Sequence, residues 1–318
     1  MADTLTIRPM EAADLPGVLE TLRAALGETP LLKRTPDLWG WKHQLNPFGN
    51  SIVLVAAESD GRIAGVRALM RWRLATPTGG ELSCVRAVDT AVHPDYQRRG
   101  LFRSMNESAL EVARNDGVDL VFNTPNSQSR PGYLKQGWRD VGAIGVMVRP
   151  TWRLLNPRRE LDELPAPSEL LPEAKAAADL SEDDRVPVGL RTVRSEGYRA
   201  WRFGSHPTAE YVSVGSGDST AVLRVNRRSG RDELVVSELI GDQGSKAIRR
   251  AAKLARAGYF VAWFSRRSPE RAAAMRAGLV PIPRVTALNL VARPLTTLDL
   301  DVFDLDNWDI ALSDLELL

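Results

Sequence analysis

The stretch HPDYQRRGLFRSMNESAL, residues 93–110, sets Arg98, Arg99 and Arg103 around Gly100 where an apolar strand gives way to a helix. The first N–H groups of a helix lack partners and lie at the positive end of its dipole, so acidic side chains usually occupy the first turn. This start carries arginines instead. Unpaired backbone donors, guanidinium groups and a glycine that lets a ligand approach the main chain together make an anion site of the phosphate-binding kind. A solvated basic helix start explains QRRG equally well when those residues are taken alone.

Other chemistries find little to build on. The three histidines, His43, His93 and His206, stand far apart, and none has a metal-ligand spacing to Cys84 or to another histidine, so no metal is expected. Cys84 is alone; it reads as a small core residue on a strand, excludes an intramolecular disulfide and fits a reducing compartment. No Cys or Ser stands in a recognisable nucleophile setting, which leaves covalent catalysis without a candidate. The net charge of +2 is too balanced for a nucleic-acid binder working by bulk charge. That balance hides an asymmetry: residues 296–318 hold seven acids and no Lys or Arg, leaving 42 bases against 33 acids, +9, in the rest. The opening MADTLTIRPMEAADLPGVLETL has no basic start or long apolar run, and no 18-residue apolar stretch occurs, so a cytoplasmic protein away from membranes is expected.

The elements that must position the loop follow from periodicity. TLTIR alternates as a strand; Leu15, Val18, Leu19, Leu22 and Leu26 recur at helical spacing; TPLLKRTPDLWGWKHQLNPFG holds a shorter helix broken by prolines. A meander follows, SIVLVAAE, an Asp60-Gly61 hairpin turn, RIAGVRALMRWRLAT and ELSCVRAVDTAV. After the basic loop come a helix to about Asn115, the strand VDLVFN, a short helix, QGWRDVG and a last strand IGVMVRP. Residues 156–187 hold five prolines and many charges. Residues 151–187 accordingly read as a linker.

At 318 residues two domains are the natural division, and the second reads as a worn copy of the first. Trp41, Lys42 and Pro47 match Trp201, Arg202 and Pro207; Gly117, Phe122 and Gly137 match Gly258, Trp263 and Gly278. Aligning Gly100 with Gly241 replaces QRRGLF by ELIGDQ, and Ala274 then stands opposite Tyr133. The second copy has lost the arginines.

The order of strand VRAVDTAV, loop HPDYQRRGLF, helix, strand VDLVFN and NSQSRPGYLKQGW resembles the GNAT family of acyl-CoA-dependent N-acetyltransferases, over residues 4–150. Gln97-Arg98-Arg99-Gly100-Leu101-Phe102 matches its Q/R-x-x-G-x-G/A signature, with Phe102 departing at the last position. A second block is met by Asn126, Tyr133, Lys135, Gly137 and Trp138. The resemblance implies an α/β fold of two tandem GNAT-like domains, each a mixed, mostly antiparallel sheet flanked by helices, the second copy degenerate. Residues 1–150 would be the catalytic domain, 188–295 the degenerate one and 296–318 an acidic tail that docks as a strand or helix or acts as a lid.

The resemblance also assigns roles. Acetyl-CoA would bind with its pyrophosphate on Gln97 and the N–H groups of Arg98, Arg99, Gly100, Leu101 and Phe102. Its pantetheine arm would lie along Ala91 and Val92, where the fourth and fifth strands splay, and near Asn126. Tyr133 matches the family's general acid. Asp89 is the leading candidate for a base, ahead of Glu58 and Glu81, with a water relay the alternative. The acceptor, a small-molecule amine and by the likeness of WKHQLNP an amino sugar, would enter by Trp39, Trp41, His43 and Asn46, although tryptophans packing on a sheet explain that cluster as well. No nucleic acid or membrane partner is expected; a homo-oligomer is open. A non-catalytic acyl-CoA sensor and an interaction scaffold are the rival readings.

Overall fold

The computed structural model describes residues 5–28, 33–155, 164–177, 180, 185–283, 285 and 288–315. The chain forms two compact units. One comprises Met1–Leu74, Gly80–Val141 and Leu290–Phe303, the other Ala75–Gly79, Gly142–Asn289 and Asp304–Leu318.

In chain order the elements are β1 (Thr6–Pro9), α1 (Leu15–Leu26), α2 (Pro36–His43), β2 (Ile52–Ala57), β3 (Ile63–Ala75), β4 (Glu81–Val92), α3 (Leu101–Asn115), β5 (Leu120–Asn123), α4 (Arg130–Lys135) and β6 (Arg139–Ile144). They continue with β7 (Met147–Pro150), α5 (Pro167–Leu170), β8 (Lys175–Ala176), β9 (Arg191–Thr192), α6 (Glu196–Arg199), β10 (Tyr211–Ser216), β11 (Ser219–Arg228) and β12 (Arg231–Ile240). The last are α7 (Gly244–Leu254), β13 (Tyr259–Ala262), α8 (Pro269–Arg276), β14 (Val280–Pro281), β15 (Leu288–Pro294) and α9 (Leu312–Leu315).

Local chemistry accounts for the boundaries. Thr35 caps α2 by accepting the Leu38 N–H, and Pro36 occupies the first position, where its missing donor costs nothing. Gly27, at φ 71°, ends α1. Val18, Leu19 and Leu22 turn inward with Trp39, Val55 and Val66 on one face of the first sheet; Leu69, Val85, Leu110, Val121 and Trp138 pack its other face.

Strand order in the first sheet is β1-β2-β3-β4-β5-β15-β6, and in the second β8-β10-β11-β12-β13-β7-β14. The orders correspond strand for strand. Each sheet contains a parallel pair, β4 with β5 and β12 with β13, joined by the crossover helices α3 and α7. The result is a mixed α/β protein with two mostly antiparallel sheets flanked by helices, consistent with two GNAT-like domains.

One strand departs from the sequence reading. Met147–Pro150, read as the last strand of the first domain, pairs with β13 and β14 in the second sheet. The equivalent slot of the first sheet is filled by β15, whose Val291–Pro294 pair with Asn123–Leu120. The proline-rich stretch is not all linker: Leu170 and Leu171 are buried in the second unit's core, and residues 156–163 of it lie outside the described residues.

Candidate active site

Arg98 and Gly100 both adopt left-handed backbone, φ 64° and 79°, which turns successive N–H groups toward one side. Among the described residues, the N–H groups from Arg98 to Phe102 meet no protein acceptor; the first helical bonds come from Arg103 and Ser104 to the Gly100 carbonyl. No side chain caps the helix. Arg98 and Arg99 are exposed, with Arg99 stacked 5.1 Å over the Tyr96 ring and donating to the Asp95 carbonyl. Gln97 donates to the Val92 carbonyl at 3.3 Å. A cavity of about 490 Å³ opens here, lined by Val92, Arg98, Gly100, Phe102, Lys135 and Gln136 among others. Bare donors and positive charge in a cleft suit an anion.

Beside it the sheet splits. The parallel pairs Cys84↔Leu120, Val85↔Val121 and Arg86↔Phe122 end there, and β4 runs on to Val92 with no β5 partner. Ala91 and Val92 therefore stand on an open strand flank. Asn126 is exposed and its Oδ1 accepts from the N–H groups of Gln128 and Ser129, so its oxygen shapes the loop before α4.

Tyr133, from α4, is 2% exposed and packed edge-on against Phe102 and Trp138. Its Oη accepts from Arg67 Nη1 at 2.6 Å. Arg67, on β3, is fully buried and donates also to Thr90 Oγ1 at 2.9 Å and Asn106 Oδ1 at 2.6 Å. Asn106 Nδ2 continues the chain to Gln136 Oε1 at 2.6 Å. The sequence reading missed Arg67; its signal was a lone charge inside the apolar run IAGVRALM.

Asp89, on β4, adopts a positive φ of 42°. Its carboxylate lies 3.2 Å from Arg34 Nη1, 3.1 Å from Lys42 Nζ and 3.1 Å from His43 Nε2. Burial pushes the carboxyl up, but Lys42, His43 and Arg34 outweigh it and hold the group far below the usual range. Such a carboxylate is a poor proton acceptor, which removes the ground for expecting Asp89 as base. Burial lowers the His43 imidazolium below its ordinary range against the pull of Asp89, and Nδ1 meets Ser51 Oγ at 2.9 Å. Glu58 and Glu81 pair with Arg62 and Arg73, and His93 caps the turn before Asp95.

The expected acceptor residues are buried. Trp39, Trp41 and His43 are 5%, 2% and 3% exposed, and Trp39 packs with Val18, Leu22 and Ala91. Asn46 is buried and donates to the Arg71 carbonyl. These side chains build the wall under β4 and present no open face.

The second unit closes the same features with its own atoms. Gly241 keeps φ 79°, but the Gln243 N–H that follows donates to Ser219 Oγ at 2.6 Å. Parallel pairing of β12 with β13 ends at Val235↔Val261, and residues 310–313 fill the space beyond. Ser265 N–H donates to the Ile310 carbonyl at 3.1 Å, Leu312 N–H to the Trp263 carbonyl at 3.1 Å, and Ser313 Oγ to the Ser237 carbonyl at 2.6 Å. Arg194 bridges Glu238 and Asp314 beside them.

Comparison with known proteins agrees with this geometry. Residues 6–141 match the family model of an acetyltransferase (GNAT) domain. A GCN5-related N-acetyltransferase from Anabaena variabilis shares the fold at TM-score 0.61 and 11% identity, over 92% of this chain and 73% of that one. Another from Kribbella flavida aligns at TM-score 0.59 and 15% identity, over 92% and 71%. No curated protein matches the chain. With the strand order, the split between β4 and β5 and the bare start of α3 all in place, the chain carries a GNAT acetyltransferase domain over residues 6–141.

Proposed function

We propose that the first unit transfers an acetyl group from acetyl-CoA directly to a small-molecule amine, with an amino sugar as the acceptor class. Acetyl-CoA supplies the activated acyl group and a thiolate leaving group. The observation that carries the reading is the run of bare N–H groups from Arg98 to Phe102 between two exposed arginines and the open flank of β4. These donors suit a diphosphate, and the flank at Ala91 and Val92 suits an amide-bearing arm that pairs as a strand would. Tyr133 serves as the acid toward the leaving sulfur. With Asp89 tied up, the amine proton leaves through solvent. Lys42, His43, Trp39 and Trp41 support the acceptor side by fixing β4 rather than by touching the acceptor.

The bound state of Asp89 also favours one rival, a non-catalytic acyl-CoA sensor that holds the ligand without a base. Incubation with acetyl-CoA and pooled amine metabolites separates the two: thiol release with an acetylated product, identified by mass, is expected. Saturable CoA binding with no turnover on any amine would establish the sensor. Absence of calorimetric heat and of thermal stabilisation by CoA would overturn both.

A further inference from the structure

Four buried arginines of this protein are held by carboxylates, Arg34 by Asp89 among them. In the second unit Arg191, Arg194 and Arg199 each meet Glu270, Glu238 or Asp314. Arg67 differs. Among the described residues its guanidinium has no carboxylate partner; it bonds only to neutral oxygens of Thr90, Asn106 and Tyr133, and its Nε has no partner at all. Arginine does not shed its proton, so this is a full positive charge sealed in the protein at a cost that packing does not require. Its surroundings indicate what it is for. Thr90 lies on the stretch of β4 that has left β5, and Asn106 and Gln136 fix the guanidinium plane through a chain of bonds.

We propose that Arg67 is a positioning residue for acetyl transfer, holding the Tyr133 hydroxyl with its proton directed away from the guanidinium and toward the leaving sulfur. The inference rests on the acetyl-transfer reading above. Guanidinium nitrogens only donate, so the bond to Tyr133 Oη uses an oxygen lone pair and leaves the phenolic proton uncommitted. In the reaction the amine nitrogen bonds to the acetyl carbon, the C–S bond breaks and its electron pair leaves on sulfur. Sulfur takes the Tyr133 proton, the phenolate is held by Arg67, and the surplus proton on nitrogen goes to solvent, from which Tyr133 is reprotonated. Arg67 thus meets a negative charge only after the proton has moved, which is where a fixed cation accelerates the step.

The test compares Arg67→Met, Arg67→Lys, Tyr133→Phe and the Arg67→Met/Tyr133→Phe double variant in the full chain. Readouts are kcat, the calorimetric Kd for acetyl-CoA and the thermal midpoint. Loss of a general acid costs on the order of 10²–10⁴ in rate, and loss of its orienting partner is expected to cost about 10–100-fold in kcat. Arg67→Met should leave the Kd within about twofold and the thermal midpoint unchanged or higher, since an apolar replacement removes a sealed charge. Arg67→Lys should recover most of the rate, and the double variant should be no slower than Tyr133→Phe alone. A merely structural arginine would instead lower the midpoint and spare kcat. Unchanged kcat in Arg67→Met, or multiplicative losses in the double variant, overturns the assignment. A wild type that turns over distinguishes that failure from failure of the acetyl-transfer reading, in which no variant would release thiol.

Discussion

Asp89 Oδ2 lies 3.1 Å from Lys42 Nζ, and the same carboxylate also holds Arg34 and His43. Two cations are thereby kept inside the first unit by one anion, so removing it strands both. Asp89→Asn is expected to destabilise by about 3–5 kcal/mol, read from denaturant midpoints, as broken buried pairs do. The Lys42→Met/Asp89→Asn pair should recover part of that loss. Full stability in Asp89→Asn with kcat lost would restore the residue as a base.

The same cluster sets an acid limit. Burial holds the folded His43 below its unfolded value of 6.5, so the unfolded chain binds the extra proton first. The stabilisation is complete above pH 6.5 and declines as pH falls below it. Asp89 adds a second loss below the ordinary carboxyl value of 3.8, because its folded form resists protonation. Denaturant midpoints at pH 8, 6 and 5 should fall in wild type. His43→Gln should flatten that slope above pH 5, and an unaltered slope would place the titrating group elsewhere.

Arg98 separates charge from backbone. It holds φ 64°, a conformation glycine adopts freely, so Arg98→Gly keeps the turn and removes only the guanidinium. The acetyl-CoA KM should rise about three- to tenfold with no fall in the thermal midpoint, and Arg99→Glu should raise it at least tenfold. Both effects should shrink at high salt, since these side chains are exposed. An unchanged KM in both variants would count against a phosphate at the start of α3.

Calorimetry should give one CoA per chain. In the second unit Ser219 takes the Gln243 N–H and residues 310–313 already lie between the separated strands. Asp314→Asn, which leaves Arg194 with Glu238 alone, is expected to lower the stability of the chain by about 3 kcal/mol without adding a second site. A stoichiometry of two would show that the second cleft opens.

Much of the first unit was legible from periodicity and turn chemistry: α1 from its leucine spacing, the β2–β3 hairpin from Asp60-Gly61, and the α3 start from three arginines and a glycine. Those signals are local. Arg67 and the partners of Asp89 were not legible as a set, because Arg34, Lys42 and His43 reach Asp89 across 46 to 55 residues of chain. VMVRP was recognisable as a strand, but a strand's neighbours depend on the path of the whole chain, and nothing in those side chains announces which sheet they join. The tryptophans of α2 left two readings open in the sequence, an aromatic face for a ligand and packing on the sheet, and Trp39 and Trp41 are both buried.

The exchange of β7 for β15 bears on how this molecule can be taken apart. Arg149 on β7 donates to the Ala277 carbonyl beside Gly278, and Arg293 on β15 donates to the Gln136 carbonyl beside Gly137, so each borrowed strand is fastened by the same arginine-to-glycine latch. A single scission between Pro150 and Lys175 would therefore leave the amino-terminal piece without β15 and the carboxy-terminal piece without β7. A shortened gene ending at Pro150, or one starting after it, would encode an incomplete sheet.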